Sequence, residues 1–310
     1  MGRVFRWLLV LLVLVVAAVV ALPFLVPTSV YKEQIIAQTQ KVTGRALKIE
    51  GDLKLSLWPA FGVEVGKVSF ANAAGAATPQ MVTMDSMIVG AELLPLLSGT
   101  LNVTQVRFVK PTINLEIDKQ GRGNWLFEAG ANGASADGQA KPVAGGDFSF
   151  RDVTVENGTL TYADARTGTS QRIDAIDVSV RLPSLDEAMT VQGGLTWNKE
   201  AITVDATVAN PRALSTGGKS DLKATVAGEV LNATLAGAVD AGKSEIAGDV
   251  DFRTKSARRL AAWASVELPK VRGFGPMTLS GTLASTPGKV SFKEAKLSLD
   301  GMNGSGDLAL

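Results

Sequence analysis

The sequence predicts a mainly β protein in which an N-terminal transmembrane helix and a short amphipathic helix precede a long antiparallel sheet. Three features predict this class. An uncharged stretch occupies residues 7–26, a helical pattern follows it up to Gly44, and apolar and polar residues then alternate from residue 46 to the end. A period of about 3.6 residues is typical of a helix, and a period of 2 is typical of a strand.

The first element is the predicted membrane anchor. Arg3 and Arg6 precede residues 7–26, and the next cation along the chain is Lys32. A helix of about 20 residues spans about 30 Å, the thickness of the hydrocarbon layer of a bilayer. The positive-inside rule then places the N-terminus in the cytoplasm and the body outside it. A cleaved signal peptide has a shorter apolar region and a small-residue cleavage site. We therefore expect residues 1–27 to remain as a cytoplasmic tail and anchor.

The second element is the predicted amphipathic helix. Thr28 and Ser29 are residue types that cap a helix start, and Gly44 is of the type that ends one in a left-handed conformation. The residues that approximate its apolar stripe are Val30, Ile35, Thr39 and Val42.

Strict alternation after Gly44 predicts strands that each have one apolar and one polar face. Such strands suit an antiparallel sheet rather than a buried parallel one. Turn signals separate them at Asn157-Gly158, Gly193-Gly194, Asn210-Pro211, Gly217-Gly218 and Pro287-Gly288. The candidate residues on the apolar faces are Leu53, Leu55, Leu57, Val63, Val65, Ile113, Leu115, Ile117, Val178, Val180, Leu297 and Leu299.

Three segments interrupt the alternation. Residues 256–264 predict a short helix capped by Ser256. Residues 93–99 predict an irregular segment or a short turn of helix because they contain Pro95. Residues 129–146 consist mainly of Ala and Gly and predict a flexible linker or long loop. That linker divides the predicted body into residues 28–128 and 147–310.

Composition excludes several classes of function. Lys and Arg number 31 and Asp and Glu number 30, so no basic field exists to attract nucleic acid. The chain has no His and no Cys, which removes the most common general base, thiol nucleophiles and the usual zinc ligands. We therefore expect no enzyme activity, no cofactor and no metal site.

Two motifs could still suggest chemistry. Residues 237–244 read GAVDAGKS and fit the phosphate-loop pattern, but the residues after Ser244 alternate as a strand does, whereas a phosphate loop leads into a helix. We expect a hairpin turn there, and no nucleotide. Tyr162, Asp164 and Arg166 form a polar group that we also interpret as a hairpin turn.

The apolar faces must be covered by something, because a sheet with one exposed apolar side is unstable in water. One possibility is a closed sandwich, in which a second sheet supplies the cover. The other is a curved sheet whose concave face is covered by lipid. Composition alone favours the sandwich.

Several ordered motifs resemble those of the AsmA family of bacterial envelope proteins. The TGRALKIEG stretch is similar to the family's T-G-R-x-[LV]-x-[IV]-x-G pattern, and PTINLEIDKQGRGNWLF is similar to its P-x-[IV]-x-L and G-x-x-N-W-x-[FL] pattern. The stretches that carry the resemblance are residues 1–26, 42–51, 53–59, 93–99, 111–127 and 157–164.

This resemblance implies a single-pass protein of the bacterial inner membrane with its body in the periplasm. It implies a curved β-sheet that forms an apolar groove for the acyl chains of phospholipid, and a part in lipid transport and outer-membrane biogenesis or integrity. Envelope proteins or an end-to-end groove partner are the further partners it suggests. The alternative is a structural assembly factor for outer-membrane proteins, with a closed sandwich and no lipid channel.

Overall fold

The computed structural model describes residues 28–51, 53–56, 62–92, 103–127 and 151–309. In these ranges no helix has the length and apolar character needed to cross a bilayer. The predicted anchor at residues 7–26, the irregular segment at residues 93–99 and the Ala/Gly-rich residues 129–146 lie outside the described residues.

Three helices and sixteen strands make up the described part of the chain. The helices are α1 (Thr28–Thr43), α2 (Pro211–Ser215) and α3 (Ala257–Trp263). The first eight strands are β1 (Leu47–Ile49), β2 (Leu53–Ser56), β3 (Gly62–Ala71), β4 (Gln80–Ala91), β5 (Val103–Val109), β6 (Thr112–Ile117), β7 (Asp152–Asp164) and β8 (Thr169–Arg181). The remaining strands are β9 (Met189–Trp197), β10 (Glu200–Val208), β11 (Lys219–Gly228), β12 (Asn232–Asp240), β13 (Glu245–Thr254), β14 (Met277–Thr286), β15 (Lys289–Leu299) and β16 (Met302–Ala309).

All sixteen strands belong to one sheet, which confirms the mainly β prediction. The main path runs β1-β3-β4-β5-β7 and then in sequence order to β16, while β2 pairs with β3, and β6 pairs with β4 and β7. Most neighbours along this path are also neighbours in sequence. The sheet therefore grows by one strand at a time along its length.

The antiparallel prediction is wrong at one junction. Strand β7 runs parallel to both β5 and β6, with Phe108 opposite Val155 and Ile113 opposite Leu160. A parallel pair needs a long connection that returns the chain to the end where the first strand began. Residues 118–151 provide that length between β6 and β7. The other described pairs in the sheet are antiparallel.

Two of the five predicted turns are also wrong. Asn157-Gly158 and Gly193-Gly194 lie inside β7 and β9. Asn157 adopts a left-handed φ of 51° at a β-bulge, and Gly193 lies where the neighbouring strand comes very close. Both uses of Asn and Gly occur within strands, so the dipeptides alone do not distinguish a turn from a bulge or a close approach. The Asn210-Pro211, Gly217-Gly218 and Pro287-Gly288 signals do fall between strands.

Irregular residues lie on both sides of β4 in the first half of the sheet. Lys67 in β3, Lys110 between β5 and β6, Asn157 in β7 and Ala175 in β8 all have positive φ, between 41° and 51°. The pairing shifts register beside Asn157 and Ala175 and stays in register at Lys67. An irregular residue of this kind shifts the alternation by one position, so apolar residues an odd number of positions apart lie on the same face. We call these four residues the bulge line.

Contacts across the bulge line show this continuity. Val65 and Val68 lie on either side of Lys67, three residues apart, yet both belong to one buried cluster with Ile49. A Cβ placed on Gly158 would lie 2.8 Å from Cγ1 of Val155, which precedes the bulge in β7. The apolar side of the sheet therefore stays on one face through the bulge line.

Helix α1 packs on this buried cluster with a different side from the predicted one. Ile36 contacts the cluster, whereas Ile35 and Val42 of the predicted stripe are 47% and 57% exposed. Adjacent helical residues are about 100° apart, so a shift of one position is enough to move the stripe off the sheet. The predicted end of the helix is confirmed, because Gly44 has a φ of 70° and its N–H donates to the carbonyl oxygen of Gln40 at 2.9 Å.

The other helix prediction is confirmed. Residues 257–263 form α3, and the Ser256 hydroxyl accepts a hydrogen bond from the N–H of Arg259 at 3.2 Å. This bond satisfies one of the free N–H groups in the first turn, as an N-cap does.

Replacing Gly193 by Ala tests the close approach of β8 and β9. A Cβ on Gly193 would meet the carbonyl oxygen of Asp177 and would lie 2.6 Å from the Cα of Val178. We expect Gly193→Ala to lower the free energy of unfolding by about 1–3 kcal/mol, because backbone must move to make room. Gly304→Ala is the matched control, since a Cβ there has nothing within 4 Å. Equal stability of the two variants in denaturant unfolding would contradict the close approach.

The β7–β8 turn predicts an acid-dependent stability. The Arg166 side chain and backbone N–H bond to the Asp164 carboxylate and lower its pKa from 3.8 to about 2. The ionised carboxylate therefore stabilises the fold above pH 3.8, and this contribution is lost as the pH falls towards about 2. We expect Asp164→Asn to melt below the wild type at neutral pH, with the difference in Tm shrinking across that window. A difference that stays constant down to pH 2 would contradict this account.

A continuous apolar face as the candidate functional site

The strand register places one unbroken row of apolar residues across the sheet. Residues that lie directly opposite in neighbouring strands have side chains on the same face. In order from β2 to β16, omitting β6, the row is Leu53, Val65, Met87, Phe108, Val155, Val178, Gly193, Val204, Val226, Ala233, Phe252, Leu279, Leu297 and Gly304. With strands about 4.8 Å apart, the row is on the order of 60 Å long.

A second apolar row runs beside the first, two residues along each strand. From β3 to β14 it consists of Val63, Val89, Val106, Val153, Val180, Val191, Ala206, Ala224, Leu235, Val250 and Gly281. We call the surface formed by the two rows the apolar face. It contains no charged or hydrogen-bonding side chain along its described length.

The apolar face extends beyond the bulge line in the first half of the sheet. The paired residues there are Leu47, Phe70, Val82, Ile113, Leu160, Ile173 and Trp197. Further along β6 the pairing becomes polar, because Leu115 lies opposite Tyr162 and Ile117 lies opposite Asp164. One lateral margin of the apolar face is therefore marked by a change to polar partners.

The reverse side of the sheet is polar along the same path. From β2 to β16, the row directly behind the two apolar rows consists of Lys54, Glu64, Ile88, Arg107, Thr154, Ser179, Gln192, Asp205, Thr225, Thr234, Asp251, Ser280, Lys296 and Ser305. Only Ile88 in this row is apolar. The sheet therefore has two chemically different sides throughout the described strands.

Helix α1 covers the apolar face around Val65, and in the described residues no second sheet covers the rest of it. Those residues form one sheet, and its terminal strands β1 and β16 do not pair with each other. Val204, Val226 and Phe252 are half-buried, and no described side chain is less than 2% exposed. A closed sandwich buries its inner side chains fully between two sheets. The described part of the chain does not have that arrangement.

Most of the candidate residues predicted from the sequence lie on the apolar face. Leu53, Val65, Val178 and Leu297 are in the first row, Val63 and Val180 are in the second, and Ile113 is in the extension. Leu299 lies opposite Met277 and Met302, at the β14–β16 end. Leu115 and Ile117 share the face of Ile113, but they lie at its polar margin. The Leu55 backbone pairs with Val63, and Leu57 lies outside the described residues.

The sequence prediction missed several large side chains of the first row. Met87, Phe108, Phe252 and Leu279 were not among the candidates, although each alternates with a polar neighbour. The DVDFRT stretch of β13 and the MTLS stretch of β14 show the same period of 2 that identified the other strands. A count of alternation that included Met and Phe and extended to these strands could therefore have found them.

Helix α3 is fixed at the lateral margin where β9 ends. The rings of Trp197 and Trp263 meet edge to face with centroids 4.5 Å apart. The Trp263 indole N–H donates to the carbonyl oxygen of Trp197 at 2.9 Å. An ion pair between Arg259 and Glu200, at 2.7 Å, holds the same helix beside β10. Helix α3 is thus held against one lateral margin of the apolar face.

The phosphate-loop match at residues 237–244 is a hairpin turn, as predicted. Strand β12 ends at Asp240 and strand β13 begins at Glu245, so no helix follows the loop. The backbone N–H of Lys243 donates to the Asp240 carboxylate at 3.0 Å, and the Lys243 ammonium lies 3.4 Å from it. These bonds, the backbone one first, lower the pKa of Asp240. The lysine is therefore engaged within its own turn.

Asp164 and Arg166 also form a hairpin turn, as predicted. The Asp164 carboxylate accepts hydrogen bonds from the Arg166 side chain at 2.6 Å and from its backbone N–H at 2.9 Å. With a pKa of about 2, this carboxylate is far from the range in which a general base works near neutral pH. The arrangement stabilises the turn.

Comparison with known proteins agrees with the motifs in the sequence. The family model described as the AsmA family matches residues 2–275. This chain is similar to Protein AsmA of Escherichia coli (strain K12), with 35% identity over 115 residues. The aligned stretch covers 37% of this chain and 18% of that protein. The alignment thus spans less than a fifth of the relative's length. Because the family model covers most of the chain, the chain belongs to the AsmA family.

Proposed function

We propose that this protein is anchored in the inner membrane and binds the acyl chains of phospholipid on its apolar face in the periplasm. In this role it contributes to phospholipid transfer and to outer-membrane biogenesis or integrity, without catalysis, cofactor or nucleotide. The observation that carries the proposal is the pair of unbroken apolar rows, which run across the sheet with a polar row behind them.

The dimensions of the apolar face suit hydrocarbon chains. A bilayer's hydrocarbon layer is about 30 Å thick, so the tails of one leaflet extend about 15 Å. A tail of that length lying along the first row would cross about three strands at 4.8 Å each. The row is on the order of 60 Å long, so it has space for several tails in succession.

The energetics also favour a hydrocarbon ligand. Each methylene group removed from water contributes about 0.8 kcal/mol, and the apolar side chains that it touches are removed from water as well. Soluble monomers rarely expose contiguous apolar patches of more than a few hundred Å², whereas the described apolar face crosses most of the sheet. A flexible lipid tail can cover such a surface without a second protein layer.

Localisation in the proposal rests on two supports. The sequence pattern of residues 1–27 predicts an anchor with the body outside the cytoplasm. Membership of the AsmA family, together with similarity in sequence to Protein AsmA of E. coli, supports a location in the bacterial envelope. An exported, anchored sheet would have its apolar face in the compartment through which lipids must pass between membranes.

Photo-crosslinking at two adjacent positions tests the proposal. Val204 is in the first row, half-buried, while Asp205 is exposed on the polar side of the same strand. A photo-reactive residue at position 204 should capture phospholipid in cells, and the same residue at position 205 should not. Mass spectrometry of the purified conjugates identifies the captured molecule.

A substitution provides an independent check of the same face. Val204→Asp puts a carboxylate into the proposed path of the acyl chain, so less phospholipid should co-purify with the full chain. Asp205→Val changes the same strand on the other side and should leave the lipid content unchanged. Equal capture at positions 204 and 205, or unchanged lipid in Val204→Asp, would contradict lipid binding on the apolar face.

The absence of nucleotide chemistry is tested at the phosphate-loop match. Lys243 is exposed and its charge is engaged by Asp240. We expect Lys243→Ala to change the free energy of unfolding by less than about 0.5 kcal/mol. Lipid retention should be unaffected, and calorimetric titration with ATP should show no binding before or after the substitution. ATP binding that this substitution removes would overturn the hairpin interpretation.

A further inference from the structure

The segment that begins just before α3 is strongly basic. Residues 255–276, which we call the basic loop, contain Lys255, Arg258, Arg259, Lys270 and Arg272 but only one carboxylate, that of Glu267. Five cations against one anion give a formal charge of +4, whereas the whole chain carries +1. Together with Glu229 and Glu200, the carboxylates outside the segment that pair with Lys255 and Arg259, the charge is +2, so this part of the surface is basic.

Three of these cations hold the basic loop in place. Lys255 pairs with Glu229 at 3.2 Å, and Arg259 pairs with Glu200 at 2.7 Å. The Arg258 guanidinium donates to the backbone carbonyl oxygens of Pro269, Val271 and Gly273 and lies 5.3 Å from the centre of the Phe274 ring. These interactions are internal to the protein.

Backbone hydrogen bonds fix both ends of the same loop. The N–H groups of Ala257 and Arg258 donate to the carbonyl oxygens of Gly275 and Phe274 at 2.7 and 2.8 Å. The N–H of Gly275 donates to the Asp300 carboxylate at 2.9 Å. A loop that is ordered before it binds loses less conformational entropy on binding.

The tip of the basic loop presents apolar and cationic side chains together. Val266 and Val271 are 54% and 58% exposed, and Lys270 and Arg272, on either side of Val271, are exposed as well. Aliphatic side chains flanked by cations suit the boundary between anionic headgroups and hydrocarbon, where the cations meet phosphate and the aliphatic groups enter the acyl region.

The position of the tip relates it to the apolar face. Helix α3, which is part of the basic loop, lies against the margin of the apolar face at Trp197, because its Trp263 contacts that residue. The path from β3, where α1 packs, crosses five strand spacings, about 25 Å, to β9, which contacts α3, and ten, about 50 Å, to β14, which follows the loop. A membrane contact here would bring a margin of the apolar face to a lipid surface far from the anchored end.

We propose that the tip of the basic loop docks on the surface of an anionic bilayer, with Val266 and Val271 inserted and Lys270 and Arg272 against lipid phosphates. This rests on the proposed function in one respect, because it supplies the place where lipid passes between the apolar face and a membrane. The docking itself depends only on the charge and exposure of the tip.

The absence of cysteine makes a direct test possible. Val266→Cys creates a single labelling site for a polarity-sensitive fluorophore and leaves Lys270, Val271 and Arg272 unchanged. The labelled full chain is reconstituted into phosphatidylcholine liposomes, which are then titrated with vesicles that contain phosphatidylglycerol. A parallel sample is reconstituted directly into phosphatidylglycerol-containing liposomes, so that contact with the protein's own membrane is also detected.

Docking predicts a blue shift and protection from a water-soluble quencher in at least one phosphatidylglycerol sample, and neither change with phosphatidylcholine alone. Lys270→Gln with Arg272→Gln should weaken the response about 30-fold, and about 0.5 M salt should suppress it. Lys219→Gln with Lys289→Gln is the matched control, because these exposed lysines lie at the ends of β11 and β15 on the opposite margin. That control should bind as the unsubstituted chain does.

Three results would overturn the docking proposal. They are the same signal with and without phosphatidylglycerol, an equal loss in the control pair, and suppression by inorganic phosphate at constant ionic strength, which would indicate a soluble-phosphate site. Crosslinking at position 204 in the same samples separates this proposal from the proposed function. Lipid capture at Val204 with a silent tip rejects only docking, and a docked tip without capture at Val204 rejects only the lipid-binding face.

Discussion

The structure depends on keeping one face of a single, very long sheet apolar through every change of strand. Side chains alternate with a period of 2, so an uncorrected extra residue would move all later apolar side chains in that strand to the polar side. At the bulge line the apolar pattern of the sequence shifts by one position at the same place, as Val65 and Val68 on either side of Lys67 show. Val65 and Val68 therefore meet the same cluster although an irregular residue lies between them.

A one-layer sheet is stabilised differently from a globular domain. In the described residues the one buried cluster of apolar side chains centres on Ile49, Val65 and Val68, where α1 provides cover. Elsewhere each strand is held mainly by backbone hydrogen bonds to the strands beside it. Stability of this kind is close to a sum of nearest-neighbour terms, so it does not require a fully buried interior. In the proposed function, a ligand covers the part of the described apolar face outside this cluster without rearrangement of a protein core.

Sequence reasoning could predict the strands and much of the apolar face, because alternation is written directly into stretches such as those around Val63, Val178 and Val204. It could not predict the parallel pairing of β7, since partner choice depends on a connection of 34 residues, 118–151, and not on the strand's own pattern. The bulge line could not be predicted either, because Lys67 and Ala175 have positive φ but are not residue types, such as Gly or Asn, that favour this conformation. The polar margin at Leu115 depends on the pairing of β6 with β7, which places Tyr162 opposite it, and the sequence of β6 alone does not show this partner.

That polar margin has a consequence for how a phospholipid would lie. Beside the two apolar rows, Leu115 and Ile117 meet Tyr162 and Asp164, and the Trp197 indole N–H donates to the side-chain oxygen of Gln171 at 3.1 Å. A phosphate headgroup keeps its hydration only where water and hydrogen-bonding groups are within reach, because burying an unpaired charge is costly. In the proposed function the tail therefore lies along the apolar rows while the headgroup stays at a lateral margin. Movement along the face keeps the tail on the same apolar rows from strand to strand, and between β6 and β9 the headgroup stays within reach of the polar margin without crossing hydrocarbon.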